Sequence, residues 1–244
     1  MADGYCERQD VLDVLEEDNL SGAYDQRPEI IDAAITSLTE HIRTETNRHW
    51  YETGGTLTPS SAVSATNMRY DVPSSPHAQD RQLFRADAEK YPVSTHGPYV
   101  RIRLDHADIT TLTSLEVRDA AGDVNDWTTD SDKVQGRGED YYTATPTDAG
   151  LAGRTALYIH EGSLPAAVDY EGMVTAGYEY GTDSIPDTVT RMTALLAATQ
   201  LVTNDEFVSA VPDNGQLANV ETKADRWEAT AEMLLDNYRT GAVA

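Results

Sequence analysis

The side chains with the most chemistry in them are six histidines, His41, His49, His77, His96, His106 and His160, and a single cysteine, Cys6. Zinc hydrolases place two histidines one helical turn apart with a carboxylate beside them; no pair here has that HExxH arrangement, and one cysteine cannot build a cysteine metal site. His41 and His49 fall on a predicted helix but more than two turns apart, too far to share an ion. Solvated polar side chains are the expected state of all six. A nucleophile needs a base and a strained turn to present it; there is no GxSxG elbow. Cys6, at the edge of a predicted helix, is expected to be a small buried anchor. Gly136-Arg137-Gly138 and Gly150–Gly153 lack the P-loop Lys-Ser/Thr pair and the full GxGxxG spacing, so hairpin loops are their expected role. Acid pairs such as Glu16-Glu17 and Asp130/Asp132 carry no information in a chain with 42 acidic residues. No catalytic group, cofactor site or metal site is expected.

That acidity is itself informative. Against 42 Asp and Glu stand 18 Lys and Arg, a formal charge of −24, and only Lys90, Lys133 and Lys223 are lysines. The charge is spread along a chain that is 39% hydrophobic, which fits a solvated surface on a folded protein rather than a disordered tail. Such a surface needs screening, and at molar salt the Debye length falls to roughly 3 Å. A salt-in halophile is the expected source. The sign argues against tight binding to nucleic acid or to an anionic membrane, both of which need basic patches. Residues 1–20 are acidic and lack an apolar core, so no secretory signal is expected, and no apolar run is long enough to span a bilayer.

The elements that would position any site follow from periodicity. Val11, Leu12, Val14 and Leu15 predict a short helix over 8–20, ended by Ser21-Gly22. Pro28 opens a second helix, with Asp25 as cap; Ile31, Ala34, Ile35, Leu38, Ile42 and Trp50 form its stripe, and Gly54-Gly55 marks its exit. Residues 53–98 lack periodicity and predict a long Ser/Thr/Pro-rich loop with extended pieces at 68–72 and 81–86. Strands are predicted over 100–105, 115–118, 141–145, 155–160 and 173–180, with a turn at Ala121-Gly122-Asp123. Ser184-Ile185-Pro186-Asp187 starts a further helix whose buried side is Val189, Met192, Leu195, Leu196, Thr199 and Val202. Pro212-Asp213-Asn214-Gly215 is a predicted break. The fold class is therefore α+β: helical N- and C-terminal segments form one helical domain around a β-rich insertion, a small antiparallel sheet, sandwich or barrel.

The last segment carries the sharpest pattern. Leu217, Val220, Ala224, Trp227, Ala231, Leu234 and Tyr238 are spaced alternately three and four apart, as in the seam of a coiled coil. Two readings stand: a helix that folds back on its own core, or one that carries Trp227 into a partner's groove. Thirteen tyrosines against two phenylalanines favour wet, amphipathic contacts.

Several short stretches, in order, resemble the head–tail connector or adaptor proteins of tailed, siphovirus-like viruses. They are Tyr5-Cys6 with Asp10-Val11, Pro28–Ala34, Thr46-Asn47-Arg48-His49-Trp50-Tyr51, Ile109–Asp119, Val174–Gly181, Ile185-Pro186-Asp187-Thr188-Val189, and Leu195-Leu196-Ala197-Ala198. The acidity and the segment 53–98 depart from common bacterial members and fit a virus of a halophilic archaeon. The resemblance implies a structural protein rather than an enzyme. It implies a homo-oligomeric ring, typically of twelve subunits, at the head–tail junction of a virion assembled in the host cytoplasm. The partners it implies are the portal and a downstream neck or tail protein, with double-stranded DNA passing through and no membrane contact. Residues 1–52 would be the N-terminal helical part of the core, 53–183 the insertion and 184–215 the returning helix. Residues 216–244 would engage the portal, through Leu217, Val220, Trp227, Ala231, Leu234 and Tyr238. The helix over 28–50, with Glu40, Arg43 and Arg48, would line or support the lumen. Alternatives are another neck component such as a stopper or tail-completion protein, or a halophilic cytosolic enzyme with a site built from scattered His and Asp.

Overall fold

A computed structural model describes residues 4–16, 27–68, 93–119, 121–144, 155–164, 170–203 and 214–239. The chain divides into two compact units: Met1–Pro59 with Thr182–Ala244, and Ser60–Gly181. The expected cap Asp25, the break at Ser21-Gly22, the extended piece over 81–86, Gly150–Gly153 and Pro212-Asp213 lie outside the described residues.

The first unit is helical. Helix α1 (Arg8–Glu16) buries Val11 and Leu15, and α2 (Pro28–Thr46) buries Ile31, Ala34, Ile35, Thr39, Ile42 and Thr46. Pro28 sits in the first turn of α2, where its missing N–H costs nothing. The helix stops earlier than the stripe predicts. Asn47 takes a left-handed conformation (φ 53°), one of the few residues that does so at low cost, and this ends α2 before Trp50. Trp50-Tyr51 instead form β1, paired in parallel with β10 (Thr182-Asp183). The Thr53 N–H and hydroxyl both donate to the Asp183 carboxylate, at 3.0 and 2.8 Å, reinforcing that short ladder.

Helix α3 (Asp187–Val202) is the centre of the unit. It follows Pro186, which occupies the N-cap position, and it packs against α1, α2 and α4 (Asn214–Asp236). Being covered on several sides, it buries more than one stripe: Thr193, Ala194, Ala197, Ala198 and Leu201 join Val189, Met192, Leu195 and Val202. The expected Leu196 and Thr199 are only half-buried. Asn214-Gly215, expected to break the chain, form the first turn of α4. Between α1 and α2 the guanidinium of Arg8 binds both oxygens of Asp32.

Among the described residues the second unit contains two four-stranded antiparallel sheets. One has the order β2 (Ser60–Met68), β9 (Tyr170–Tyr180), β5 (Ile109–Arg118), β6 (Val124–Asp126); the other runs β3 (Val93–His96), β4 (Tyr99–Arg103), β8 (Ala156–His160), β7 (Tyr141–Ala144). Alternation puts Val100, Ile102, Leu157 and Ile159 from one sheet, and Leu115, Val117, Val174, Ala176 and Tyr178 from the other, into one shared core with Trp127 and Tyr141. Three strands escape the sequence pattern. β2 is built of small residues with little strand preference and is held by pairing along central β9. β3 is a four-residue arm of a hairpin whose turn begins at Gly97, where φ is 62° and a side chain would be strained. β6 is three residues long and follows the expected turn at Gly122.

Candidate functional site

The helical unit converges on a polar-aromatic cluster beneath the N-terminal segment. Tyr5 is buried, and its hydroxyl lies 3.0 Å from Nδ1 of His49, whose Nε2 lies 2.8 Å from the carbonyl oxygen of Thr58. A carbonyl only accepts, so Nε2 carries a proton, and in the neutral ring Nδ1 accepts from Tyr5. Burial pushes the His49 pKa below its ordinary value against the opposing pull of the Thr58 carbonyl, which is consistent with that tautomer. The Tyr5 ring meets Trp50 edge-on at 5.4 Å, and Trp50 meets Tyr238 edge-on at 5.3 Å. Thus Tyr5-Cys6, the His49-Trp50-Tyr51 stretch and the end of the last helix, far apart in sequence, meet in one core. Beside them runs a groove of about 670 Å³ lined by Cys6, Arg8, Glu52, Leu57, Ile185 and Thr190, among others. Burial, with Asp10 and Glu7 nearby, pushes the Cys6 thiol up to about 12. That thiol is an anchor without thiolate chemistry at neutral pH.

The second unit contains a network that sequence spacing does not reveal. Ser64 on β2 donates to Oδ2 of Asp105 at 2.6 Å, and its Oγ lies 2.8 Å from the Tyr178 hydroxyl. His106 Nδ1 lies 2.9 Å from that same hydroxyl, and its ring stacks on Tyr180 at 4.0 Å. Because the one Ser64 proton goes to Asp105, Tyr178 must donate to Ser64 and His106 to Tyr178. The donors run from His106 to Asp105. A serine hydrolase needs the reverse, with serine giving its proton to histidine. Ser64 is also only 4% exposed. Ser, His and Asp therefore meet in an order that locks β2 to its sheet. Burial raises the Tyr178 pKa, which keeps the phenol protonated and donating. No periodicity or short-range spacing could have flagged a chain of contacts spanning residues 64 to 178.

The expected interface residues lie inward. Val220, Trp227 and Ala231 are buried in the core of the helical unit, Trp227 at 7% exposure, with α4 packed along α3. Leu234 is half-buried and Leu235 takes the buried position, so the spacing after Ala231 is four rather than three. That drift is the 3.6 period of a helix on its own core, not the 3.5 period of a free coiled-coil seam. The tyrosine at 238 packs on Trp50 and hydrogen-bonds Thr188. The side chain of Leu217 lies outside the described residues. Of the two readings of this helix, the structure has the one that folds back. Its outward face carries Thr222, Arg226, Ala229 and Met233, the last 62% exposed.

Among the expected lumen residues, Glu40 is exposed and pairs with Arg43 at 2.6 Å, one turn along α2. Arg48 is half-buried and lies beyond the end of α2, so it does not share that helical face. Among the described residues no group of His, Cys, Asp and Glu is arranged to hold a metal ion, and no helix is long and apolar enough to cross a membrane.

No family model and no curated relative matches the chain. Among solved structures, it is similar to a chain from the neck of an empty gene transfer agent (GTA) particle computed with C6 symmetry. The identity is 16%, covering 96% of this chain and 90% of that one, with a TM-score of 0.45. A chain from the virion of the native GTA particle is similar at 14% identity, 93% and 91% coverage and a TM-score of 0.45. A chain from the neck of the native GTA particle computed with C12 symmetry is similar at 16% identity, 100% and 97% coverage and a TM-score of 0.42.

Proposed function

We propose that this chain is a structural protein of a virion neck, a head–tail adaptor that forms a ring beneath the portal and lets DNA pass into the tail. The observation that carries the reading is the meeting of Tyr5, His49, Trp50 and Tyr238 in one core. Two of the stretches on which the family resemblance rests, Tyr5-Cys6 and Thr46–Tyr51, thereby meet the end of the last helix, with a β-rich unit inserted between Pro59 and Thr182. In this reading α4 presents its outward face, Arg226, Ala229 and Met233, to the portal, while Trp227 holds the helix in place. Glu40 and Arg43 on α2 face or support the lumen. The net charge of −24 repels DNA phosphates at short range, so a genome can slide without being held. Screening in a salt-rich cytoplasm permits a dozen such subunits to sit side by side.

Sizing of the purified chain in high salt, with and without purified portal, tests the reading. The expected result is a ring in the presence of portal that dissociates on dilution of salt before far-ultraviolet circular dichroism shows loss of fold. A chain that stays monomeric and ignores portal at every salt concentration refutes it.

A further inference from the structure

The edges of the two sheets are protected unequally. β6 is three residues long and ends in Asp126, and β7 is four residues long and is entered through Glu139-Asp140. β3 also has only four residues. Short length and flanking charge are the ordinary ways of keeping a sheet edge from pairing with another chain. β2 has neither. It is nine residues long, it ends its sheet among the described residues, and it carries no charge and no proline. The uncharged run extends from Thr53 to Met68, the longest in a chain that is 25% charged.

Burial within the chain does not explain it. The next-longest uncharged run begins at Met192 and belongs to α3, where packing on several sides requires apolar residues. Over Ser60–Ala65, the β2 side chains that are described, only Ser64 is buried, with Ser60 and Ala62 half-buried. Ser61, Val63 and Ala65 face outward, Val63 at 69% exposure. The strand across the ladder places Gly177 opposite Val63, so no neighbouring side chain covers it from that direction. Ser64, bound to Asp105 and Tyr178, fixes the middle of β2, whose register against β9 is regular from Ser60 to Thr66 and shifts only between Thr66 and Met68.

We propose that the outer edge of β2, centred on Ser61–Ala65, is the contact through which one copy of this chain pairs with a second copy by strand addition. Charge chooses the occupant. A basic partner would gain from carboxylates on the surface it meets, whereas a partner that also carries −24 can approach closely only along a charge-free seam. Backbone hydrogen bonds along the edge supply the attraction and the small outward side chains permit the approach. The contact is heterologous if β2 meets a different edge of the next copy, and such contacts repeat into rings. This inference rests on the ring reading above.

The test introduces like charge on the exposed face, as Val63→Glu and, separately, Ala65→Glu, in the full-length chain. Association is followed in high salt by sedimentation velocity, with and without portal, and backbone amide exchange is measured over residues 60–68. Both substituted positions point to solvent, so the melting temperature should be unchanged. Burying an added like charge at a contact costs several kcal/mol, so the concentration needed for association should rise by more than about tenfold. Amides of β2 in the unsubstituted chain should gain protection on assembly. Rings that form equally well with Val63→Glu and Ala65→Glu, with no protection of β2, overturn the edge contact and leave the ring reading intact. A dimer that forms no larger species but dissolves on either substitution retains the edge contact and overturns the ring. A chain monomeric under every condition overturns both.

Discussion

Replacing Trp227 by alanine separates a helix that belongs to its own core from one held out for a partner. The indole is 7% exposed and lies within the cluster that joins α1, α2, α3 and α4. A buried aromatic side chain removes on the order of 150–250 Å² from water, and truncating one to alanine costs about 3–5 kcal/mol. Alanine returns less than about 0.7 kcal/mol through its better helix propensity. The net loss is then roughly 2–5 kcal/mol, which for a chain of this size lowers the melting temperature by roughly 4–20 °C. Met233→Ala is the control: at 62% exposure it should stay within about 0.5 kcal/mol of the parent. Calorimetry in high salt reads both. If Trp227→Ala melts with the parent and only portal binding is lost, α4 does not pack along α3 and the core assignment of Trp227 is wrong.

Two further perturbations probe the networks. His49 is neutral in the fold with its pKa depressed below the ordinary 6.5, so the unfolded chain takes up a proton first on acidification. The stability contributed by the neutral ring is whole above that ordinary value and is lost as pH falls from there toward the depressed one. Urea titrations between about pH 7.5 and 5.5 should therefore show a flatter pH slope for His49→Gln than for the parent, and equal slopes would contradict the assignment. Gly177 lies where a Cβ would come 2.5 Å from Ser114 Oγ and 3.1 Å from Thr113 Oγ1, beside a bulge in the β5–β9 ladder. Gly177→Ala should cost about 1–3 kcal/mol, and Ser114→Ala should recover much of it in the double variant; thermal melts that show no such coupling would refute the steric account.

The fold class was legible because its strongest signals come from residues that pack on one face. Val100, Ile102 and Leu104 alternate and are buried as a strand requires, and Ile31, Ala34, Ile35 and Ile42 recur at helical spacing and are buried as a helix requires. What escaped has a common cause. β2 is a strand because β9 is there to pair with it, and a run of Ser, Ala and Thr does not announce that. α2 ends at Asn47 through a backbone conformation, while the apolar pattern continues past it to Trp50. In α4 the pattern was visible but not its destination: alternating three and four suits a partner's groove and a neighbouring helix of the same chain equally well. The shift from Leu234 to Leu235 marks the difference, and it depends on where α3 lies. Of the polar clusters, Tyr5 and His49 stand within separate motifs, whereas nothing in the spacing of Ser64, Asp105, His106 and Tyr178 joins them, since their order is set by sheet register.

The scarcity of cations shows how such an acidic chain distributes its electrostatics. Arg8 spans α1 and α2 through Asp32, and Arg239 gathers Glu232, Asp236 and Glu45, the last from α2. Lys133 lies over the Trp127 ring at 4.3 Å, 3.7 Å from Asp140, and donates to the Ser163 carbonyl. These cations tie separate elements together, Arg239 while also pairing with Asp236 three residues away. Their pairs are partly exposed, so salt that screens the general repulsion also weakens them, and partly exposed pairs contribute little to begin with. Repulsion among the unpaired carboxylates is long-ranged and has no compensating partner, so screening removes more repulsion than attraction and the fold gains from salt. Between copies the balance tilts further, because every copy brings the same excess and few cations to offer. A contact between them then has to come from hydrogen bonds and small side chains where charge is absent, and the exposed surface of β2 is where this sequence provides that.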